Sequence, residues 1–363
     1  MKIKGILFEF IIRQLLLDRG FTSVIPDKHY VYEDRGLFFI NGKGAAHDAD
    51  VLMDPPMQIP FSYPSRVLFE CKAYKKSRKV GLNIIRNALG LRYDINEFEI
   101  VNDQMIKDRK TKSRYASSNR NRYQYQVGVA SVNYFSKNAR EFAANNKIPL
   151  LSLRNLMPGS ICDLFDEIDG NYLGKIAPRI IEELQGYLKS KSKDAPISKA
   201  LQNFLNTDSI IGKIHKETKR ISNVLVALNE YSDFFFLFGD QIEELENLKE
   251  KTMILKGNIV KGRLPSNKAN FLDETGKDDN IWSLVIKGNM IHFFFTDEGM
   301  QQWENSCRVH SDLKHDNIAK QSNSNFSGTK IYVFGLPEIE RNIPFRIIEV
   351  DNPWVGTYHS HRA

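Results

Sequence analysis

Asp48-Ala49-Asp50-Val51-Leu52, followed after a loop by Val67-Leu68-Phe69-Glu70-Cys71-Lys72, is the stretch on which the reading of the chain turns. In an extended strand, side chains alternate between faces with a period of two. Leu68, Glu70 and Lys72 therefore share one face, and Val67, Phe69 and Cys71 take the other. A carboxylate and an ammonium on an otherwise apolar strand are costly to bury without partners. Asp50, on a neighbouring strand over residues 47–53, brings a second carboxylate to the same edge. Two carboxylates and a backbone carbonyl suit Mg²⁺, with Mn²⁺ as a substitute, because such an ion takes few protein oxygens and keeps several waters. Lys72 would then orient or deprotonate an attacking water, or offset charge on a phosphate. Asp48 shares the parity of Asp50, but the apolar strand continues directly from Asp50, which is the better ligand. His47 stands without the histidine company that metal sites use, and imidazole favours transition metals. Cys71, facing away from Glu70 and Lys72, reads as a small core residue.

Upstream, Leu7, Phe8, Ile11, Ile12, Leu15 and Leu16 recur at helical spacing, predicting an amphipathic helix over 3–18 that Gly20 stops. Glu9 falls at the border of its apolar stripe, where the periodicity alone describes a solvated edge residue. Residues 28–33 and 36–40 read as a hairpin turning at Gly36, and Asn41–Gly44 as a further turn. Four prolines make 54–65 a loop. Just beyond Lys72 lie Lys75, Lys76, Arg78 and Lys79, with Ser77 as the expected cap of a helix over 78–93. Their closeness to the carboxylates favours phosphate contacts, which Arg86 and Arg92 would extend. Residues 107–123 hold Lys107, Arg109, Lys110, Lys112, Arg114, Arg120 and Arg122 against one acid, Asp108, and too little apolar surface for a core. Tyr115, Tyr123 and Tyr125 would stack on bases or pack on the backbone. A strand over 125–132, a helix over 137–145 capped by Ser136, and a strand over 148–153 follow. The sum is an α/β sandwich on a mixed sheet.

The order Asp50…Glu70-Cys71-Lys72 resembles the PD-(D/E)xK nuclease superfamily, in its Mrr-like restriction endonuclease branch. Three other stretches agree: Gly5-Ile6-Leu7-Phe8-Glu9 opening the first helix, Gly42 to Val51 leading into the aspartate, and Gly128 to Ser136 as a final strand–helix unit. The resemblance covers about residues 1–155. It implies a restriction-endonuclease-like mixed sheet flanked by helices, and an Mg²⁺-dependent endonuclease that cuts DNA in restriction or defence against foreign DNA. In that reading Asp50, Glu70 and Lys72 are catalytic, and Asp50, Glu70 and Glu9 reach the metal directly or through water. Lys75, Lys76, Arg78, Lys79, Arg114, Arg120 and Arg122 would hold nucleic acid. A homodimer is implied where both strands are cut. The alternatives are a nuclease directed at RNA or single strands, and a non-catalytic nucleic-acid-binding module on a nuclease-like fold.

Beyond residue 158 the character changes. Residues 159–206 read as a helical connector, with a hinge near Lys189–Ser192 and Pro196. Residues 207–363 read as an α+β accessory domain for recognition or partner binding: a helix over 209–230, a strand over 232–239, a helix over 297–306 and strands at 252–260, 282–287, 290–295, 330–334 and 345–350. The domain division expected is thus 1–158, 159–206 and 207–363. With 51 Lys and Arg against 44 Asp and Glu, the net charge of +7 favours an anionic partner, here DNA. No apolar run reaches the ~20 residues of a membrane span. Glu9, Arg13, Gln14 and Asp18 break up the apolar start, against a signal peptide. Three scattered cysteines suggest a reducing, cytoplasmic setting. P-loop, GxSxG and dinucleotide motifs are absent from the sequence.

Overall fold

The computed structural model describes residues 2–34, 37–58, 62–98, 123–190, 196–219, 221, 224–229, 234–239, 242, 254–261, 281–294, 300, 303, 330–334 and 345–350. Helix α1 (Lys2–Leu17) leads into β1 (Thr22–Ser23), β2 (Val31–Asp34), β3 (Leu37–Asn41), β4 (Ala46–Asp48), β5 (Val51–Asp54) and β6 (Ser65–Lys72). Helix α2 (Leu82–Asn96), β7 (Gln124–Ser131), α3 (Lys137–Asn145) and β8 (Leu150–Ser152) complete the first part. The main sheet has the order β1-β5-β6-β7-β8, antiparallel from β1 to β6 and parallel from β6 to β8. Strands β2, β3 and β4 form a separate small sheet.

Both faces of the main sheet are covered, which is why β6 and β7 are apolar on both parities. Val51, Met53, Val67, Phe69 and Ala130 pack with α1, whereas Leu52, Leu68, Val127 and Val129 pack with Ile85 and Ala88 of α2 and Ala139 and Ala143 of α3. The Ser136 cap of α3 forms as expected, its hydroxyl accepting from the Ala139 amide at 3.3 Å. Gly128 is the register partner of Phe69. A Cβ at Gly128 would lie 2.6 Å from the Phe69 ring and 3.0 Å from the Pro149 carbonyl, so the glycine makes room for that ring.

Helices α4 (Gly159–Glu167), α5 (Gly170–Leu173), α6 (Pro178–Lys189), α7 (Lys199–Leu205) and α8 (Ile210–Thr218) follow. Their apolar faces join α1 in one continuous cluster: Phe165, Leu184, Leu188, Leu201, Leu205, Ile211 and Ile214 with Leu7, Phe8, Ile11 and Ile12.

Seven strands then close into a barrel: β9 (Val224–Asn229), β10 (Phe234–Phe238), β11 (Ile254–Lys261), β12 (Ile281–Ile286), β13 (Asn289–Phe294), β14 (Lys330–Phe334) and β15 (Phe345–Val350). The order is β10-β13-β12-β11-β15-β14-β9, with β11 and β15 parallel and the other pairs antiparallel. Alternation sends Leu225, Ala227, Phe235, Leu237, Leu284, Phe293, Ile331 and Ile348 inward. Val226, Phe236, Phe238 and Phe334 point outward into the cluster built on α1 and the sheet. Phe69 meets Phe234 and Phe236 there, at ring separations of 6.0 and 6.2 Å.

Four local expectations are corrected. The helix expected over 209–230 ends at Thr218, and Val224–Asn229 is a barrel strand, since Val-Leu-Val-Ala-Leu supplies an inner and an outer apolar row at period two. The helix expected over 78–93 runs from Leu82 to Asn96 behind Gly81, and Ser77 does not cap it. The strand expected over 47–53 breaks at Ala49–Asp50, β4 pairing with β3 and β5 with β6. The α+β accessory region is organised around the closed barrel. Most of the helix expected over 297–306, and of the basic segment 107–123, lies outside the described residues. Among the described residues no helix is long and apolar enough to cross a membrane.

Candidate functional site

The break at Ala49–Asp50 is what builds the site. Chain that has finished pairing with β3 crosses to the main sheet, and Asp50 stands at the crossing. The antiparallel register Val51↔Phe69, Leu52↔Leu68, Met53↔Val67 begins one residue after Asp50, which brings Asp50 beside the Glu70–Cys71 end of β6. The Asp50 Oδ2 accepts a hydrogen bond from the Cys71 amide at 2.7 Å, standing in for the ladder bond that the broken strand does not make. Glu70 and Lys72 share the parity of Leu68, as expected, and the Lys72 ammonium lies 2.8 Å from Glu70 Oε2. Both side chains are about a quarter exposed, at 24% and 26%, so this rim is open to solvent on one side.

Its electrostatics are those of crowded acids. Burial pushes the Asp50 carboxyl up to about 6, and the charges of Glu70 and Asp48 add to the rise against the Cys71 amide and Lys72. Burial pushes Glu9 of α1 up to about 7, with the Asp50 charge next in size and Arg13 opposing. Burial also raises Asp48, which feels Glu70 and Lys72. Burial works against the Lys72 ammonium, but the hydrogen bond to Glu70 and the charges of Glu70 and Asp50 outweigh it and hold its pKa above the ordinary value. Lys72 is therefore charged at neutral pH, a donor and a counter-charge beside Glu70.

Glu9, Asp50, Glu70 and Lys72 thus interact across three elements. Among the described residues, no three His, Cys, Asp or Glu side chains converge closely enough to enclose a metal ion. What the rim offers is a pair of hard oxygen donors close enough to feel each other's charge, in a region where mutual repulsion already favours added positive charge. That donor set fits an ion such as Mg²⁺, which keeps much of its water. It does not suit a soft ion.

The other expected site residues fall as follows. Lys75, Lys76, Arg78 and Lys79 lie in an exposed turn directly after β6. Lys76 is engaged: its ammonium is 2.8 Å from Asp163 and its amide donates to Asp166 at 2.7 Å. The Arg78 guanidinium lies over the Tyr74 ring at 4.4 Å. Arg92 donates to the Asn146 carbonyl at 2.9 Å, which gives it a structural task on α2. Arg114, Arg120, Arg122 and Tyr115 lie outside the described residues. Tyr125 does not stack on a ligand. It is buried, and its hydroxyl accepts from Arg66, whose guanidinium covers the Tyr123 ring at 3.4 Å.

His47 and the glycines before it serve α2. Asp94 binds His47 Nε2 at 2.6 Å and the Gly44 amide at 2.7 Å. A Cβ at Gly42 would fall 2.0 Å from the Asp94 carboxylate. The glycine-rich lead therefore clasps the end of a helix and delivers the chain to Asp50.

Two residues near the site were not anticipated. Arg13, one helical turn after Glu9 on α1, donates to the Leu188 and Ser190 carbonyls at 3.0 and 3.2 Å and so closes the end of α6. Its place four residues from an acid is the only sequence signal it carried. Asn133, just past β7, binds the chain that leaves β6. Nothing in its neighbours' spacing marks it.

No protein-family model and no curated protein matches this chain. A solved structure of a protein of unknown function, AF1548, is similar over 60% of this chain and 94% of its own length, at 13% identity and a TM-score of 0.31.

Proposed function

We propose that the chain is a metal-dependent endonuclease that hydrolyses phosphodiester bonds of DNA, in the restriction or defence setting that the resemblance of Asp50…Glu70-Cys71-Lys72 implies. The observation that carries this reading is the convergence at the sheet rim of Asp50, bonded to the Cys71 amide, with Glu70 and the charged Lys72 that pairs with it. Such a trio is costly to keep half-buried on an otherwise apolar edge.

In this reading Asp50 and Glu70 would hold Mg²⁺, and Glu9 would reach it through water. When bound, the ion supplies Lewis acidity toward a phosphoryl oxygen and a lowered pKa for water. Lys72, held beside Glu70, would donate to the attacking water or to a phosphate oxygen and balance charge there. Asp50 keeps one oxygen on the Cys71 amide, so its other oxygen is aimed by the backbone of β6 itself. The exposed turn 75–79, which follows Lys72 in the chain, would contact phosphates on either side of the cut.

The test is incubation with duplex DNA, single-stranded DNA and RNA, with Mg²⁺, with Mn²⁺ and with chelator. Metal-dependent cleavage of duplex DNA is expected. Cleavage of RNA or single strands alone would transfer the site to the other nuclease class, and binding without cleavage in any metal would leave a binding module.

A second measurement addresses the basic turn. Changing Lys75, Lys76, Arg78 and Lys79 together to Gln is expected to weaken duplex binding and to flatten its salt dependence by roughly three phosphate contacts, each worth a log–log slope of about 0.9. Three rather than four are expected because Asp163 already holds the Lys76 ammonium. An unchanged slope would remove the turn from the interface.

A further inference from the structure

Ladder pairing of β6 ends at Lys72, opposite Ser131 of β7. The chain that follows carries the basic turn, and it makes no further strand pairing until the bridge of Val80 with Phe135. Asn133 anchors this exit from the side chain, beside the bond from the Val132 amide to the Lys72 carbonyl. Its side chain is almost fully buried, at 2% exposed. Nδ2 donates to the Tyr74 carbonyl at 3.0 Å and to the Lys75 carbonyl at 2.6 Å. Oδ1 accepts from Arg154 Nε at 3.0 Å. Arg154 in turn binds Asp163 of α4, at 2.5 Å. The Asn133 amide donates to Ser131 Oγ at 3.0 Å, and its carbonyl accepts from Ser152 Oγ at 3.3 Å. Every donor and acceptor of the residue is thereby used. An amide is the group that can do this: two hydrogens meet two carbonyls while the oxygen meets a guanidinium.

Resting on the nuclease reading above, we infer that Asn133 is a positioning residue for Lys72, fixing the exit of β6 so that the Lys72 ammonium stays over Glu70 and points at the reacting phosphate. A carboxylate in its place would keep the size and the Arg154 contact but set two oxygens against two carbonyl oxygens. The exit would then be pushed away. A displacement of about 1 Å at a catalytic group costs up to ~10²-fold in rate.

The experiment compares Asn133→Asp and Asn133→Ser, neither of which can hold both carbonyls, with the parent enzyme. Three quantities are read: single-turnover cleavage of duplex DNA in Mg²⁺, DNA affinity, and the ¹³C signal of Lys72 after reductive methylation of the full chain, identified by its loss in Lys72→Arg. The expected result is a fall of about 10- to 100-fold in the rate at saturating DNA, little change in affinity, and a displaced Lys72 signal with distant lysine signals unmoved. Rate and affinity falling together, or a Lys72 signal at its parent position in a folded variant, would overturn the inference. The lysine signal is read without substrate, so it decides on Asn133 even if no nucleic acid is cut. Should Asn133→Asp fail to fold, Asn133→Ser, smaller and uncharged, carries the test.

Discussion

On the proposed nuclease reading, replacing Asp50 by Asn, or Lys72 by Met, is expected to lower the Mg²⁺-dependent cleavage rate by about 10³-fold or more, because each would remove either a metal ligand or the donor at the reacting phosphate. The substitutions are chosen to spare the fold. An amide oxygen at position 50 can still accept from the Cys71 amide, so the crossing at Ala49–Asp50 stays fastened. A methionine at position 72 keeps the aliphatic stem. It leaves Glu70 without its 2.8 Å partner, but at about one-quarter exposure that carboxylate can turn to water. Duplex affinity and melting temperature should stay close to those of the parent. Cleavage by both variants within 10-fold of the parent would reject the assignment, and a collapse in melting temperature would show that the trio holds structure rather than substrate.

The second large effect is on stability and its pH dependence. Burial and the neighbouring Asp50 raise the Glu9 carboxyl to about 7 from an ordinary 4.5. A group whose pKa is higher in the folded chain than in the unfolded one favours folding while it is protonated. Its contribution is complete below about 4.5 and is lost as the pH rises through 7. At 1.36 kcal/mol per unit, the penalty for carrying Glu9 ionised at pH 8 approaches about 3 kcal/mol. Asp50, raised to about 6, adds in the same direction over a lower window. Glu9→Gln should therefore match the parent's melting temperature at pH 5 and exceed it at pH 8, by about 2–5 °C for a chain of this size. A divalent cation should do for the parent what the substitution does, stabilising it at pH 8 and much less at pH 5, because protons and metal compete for the same oxygens. Thermal unfolding from pH 5 to 8, with and without Mg²⁺, measures both. A gap between Glu9→Gln and parent that does not change with pH would remove Glu9 from the acidic group.

Much of this was legible in the amino-acid order, for reasons that can be named. The sharing of one face by Leu68, Glu70 and Lys72 follows from strand geometry alone and holds. So does the Ser136 cap, a local device that needs only the next turn of helix. Strands Lys330–Phe334 and Phe345–Val350 fall where their apolar alternation put them. The failures are of another kind. Val224–Asn229 is apolar on both parities, a pattern that a buried helix also shows, and only the remote partners β10 and β14 decide the matter. The break at Ala49–Asp50 depends on two different sheets claiming the two ends of one extended segment. Closure of the barrel rests on pairings such as Ile254↔Ile347, more than ninety residues apart, which no local window contains. At the site, the sequence could mark residues by type, but it could not say that Lys76 is held by Asp163, that His47 serves Asp94, or that Asn133 grips the end of β6.

The aromatic contact beneath β6 has a mechanical meaning. Phe69 stands on Gly128 with no room to spare and meets Phe234 and Phe236 of the barrel wall, while its neighbour Glu70 emerges on the other side of the same ribbon. Tightly filled interiors transmit strain instead of absorbing it. The barrel's outer surface is thus the floor on which the acidic rim stands, and a tilt of that floor, whatever causes it, would be felt one residue away as a change in where the carboxylate points.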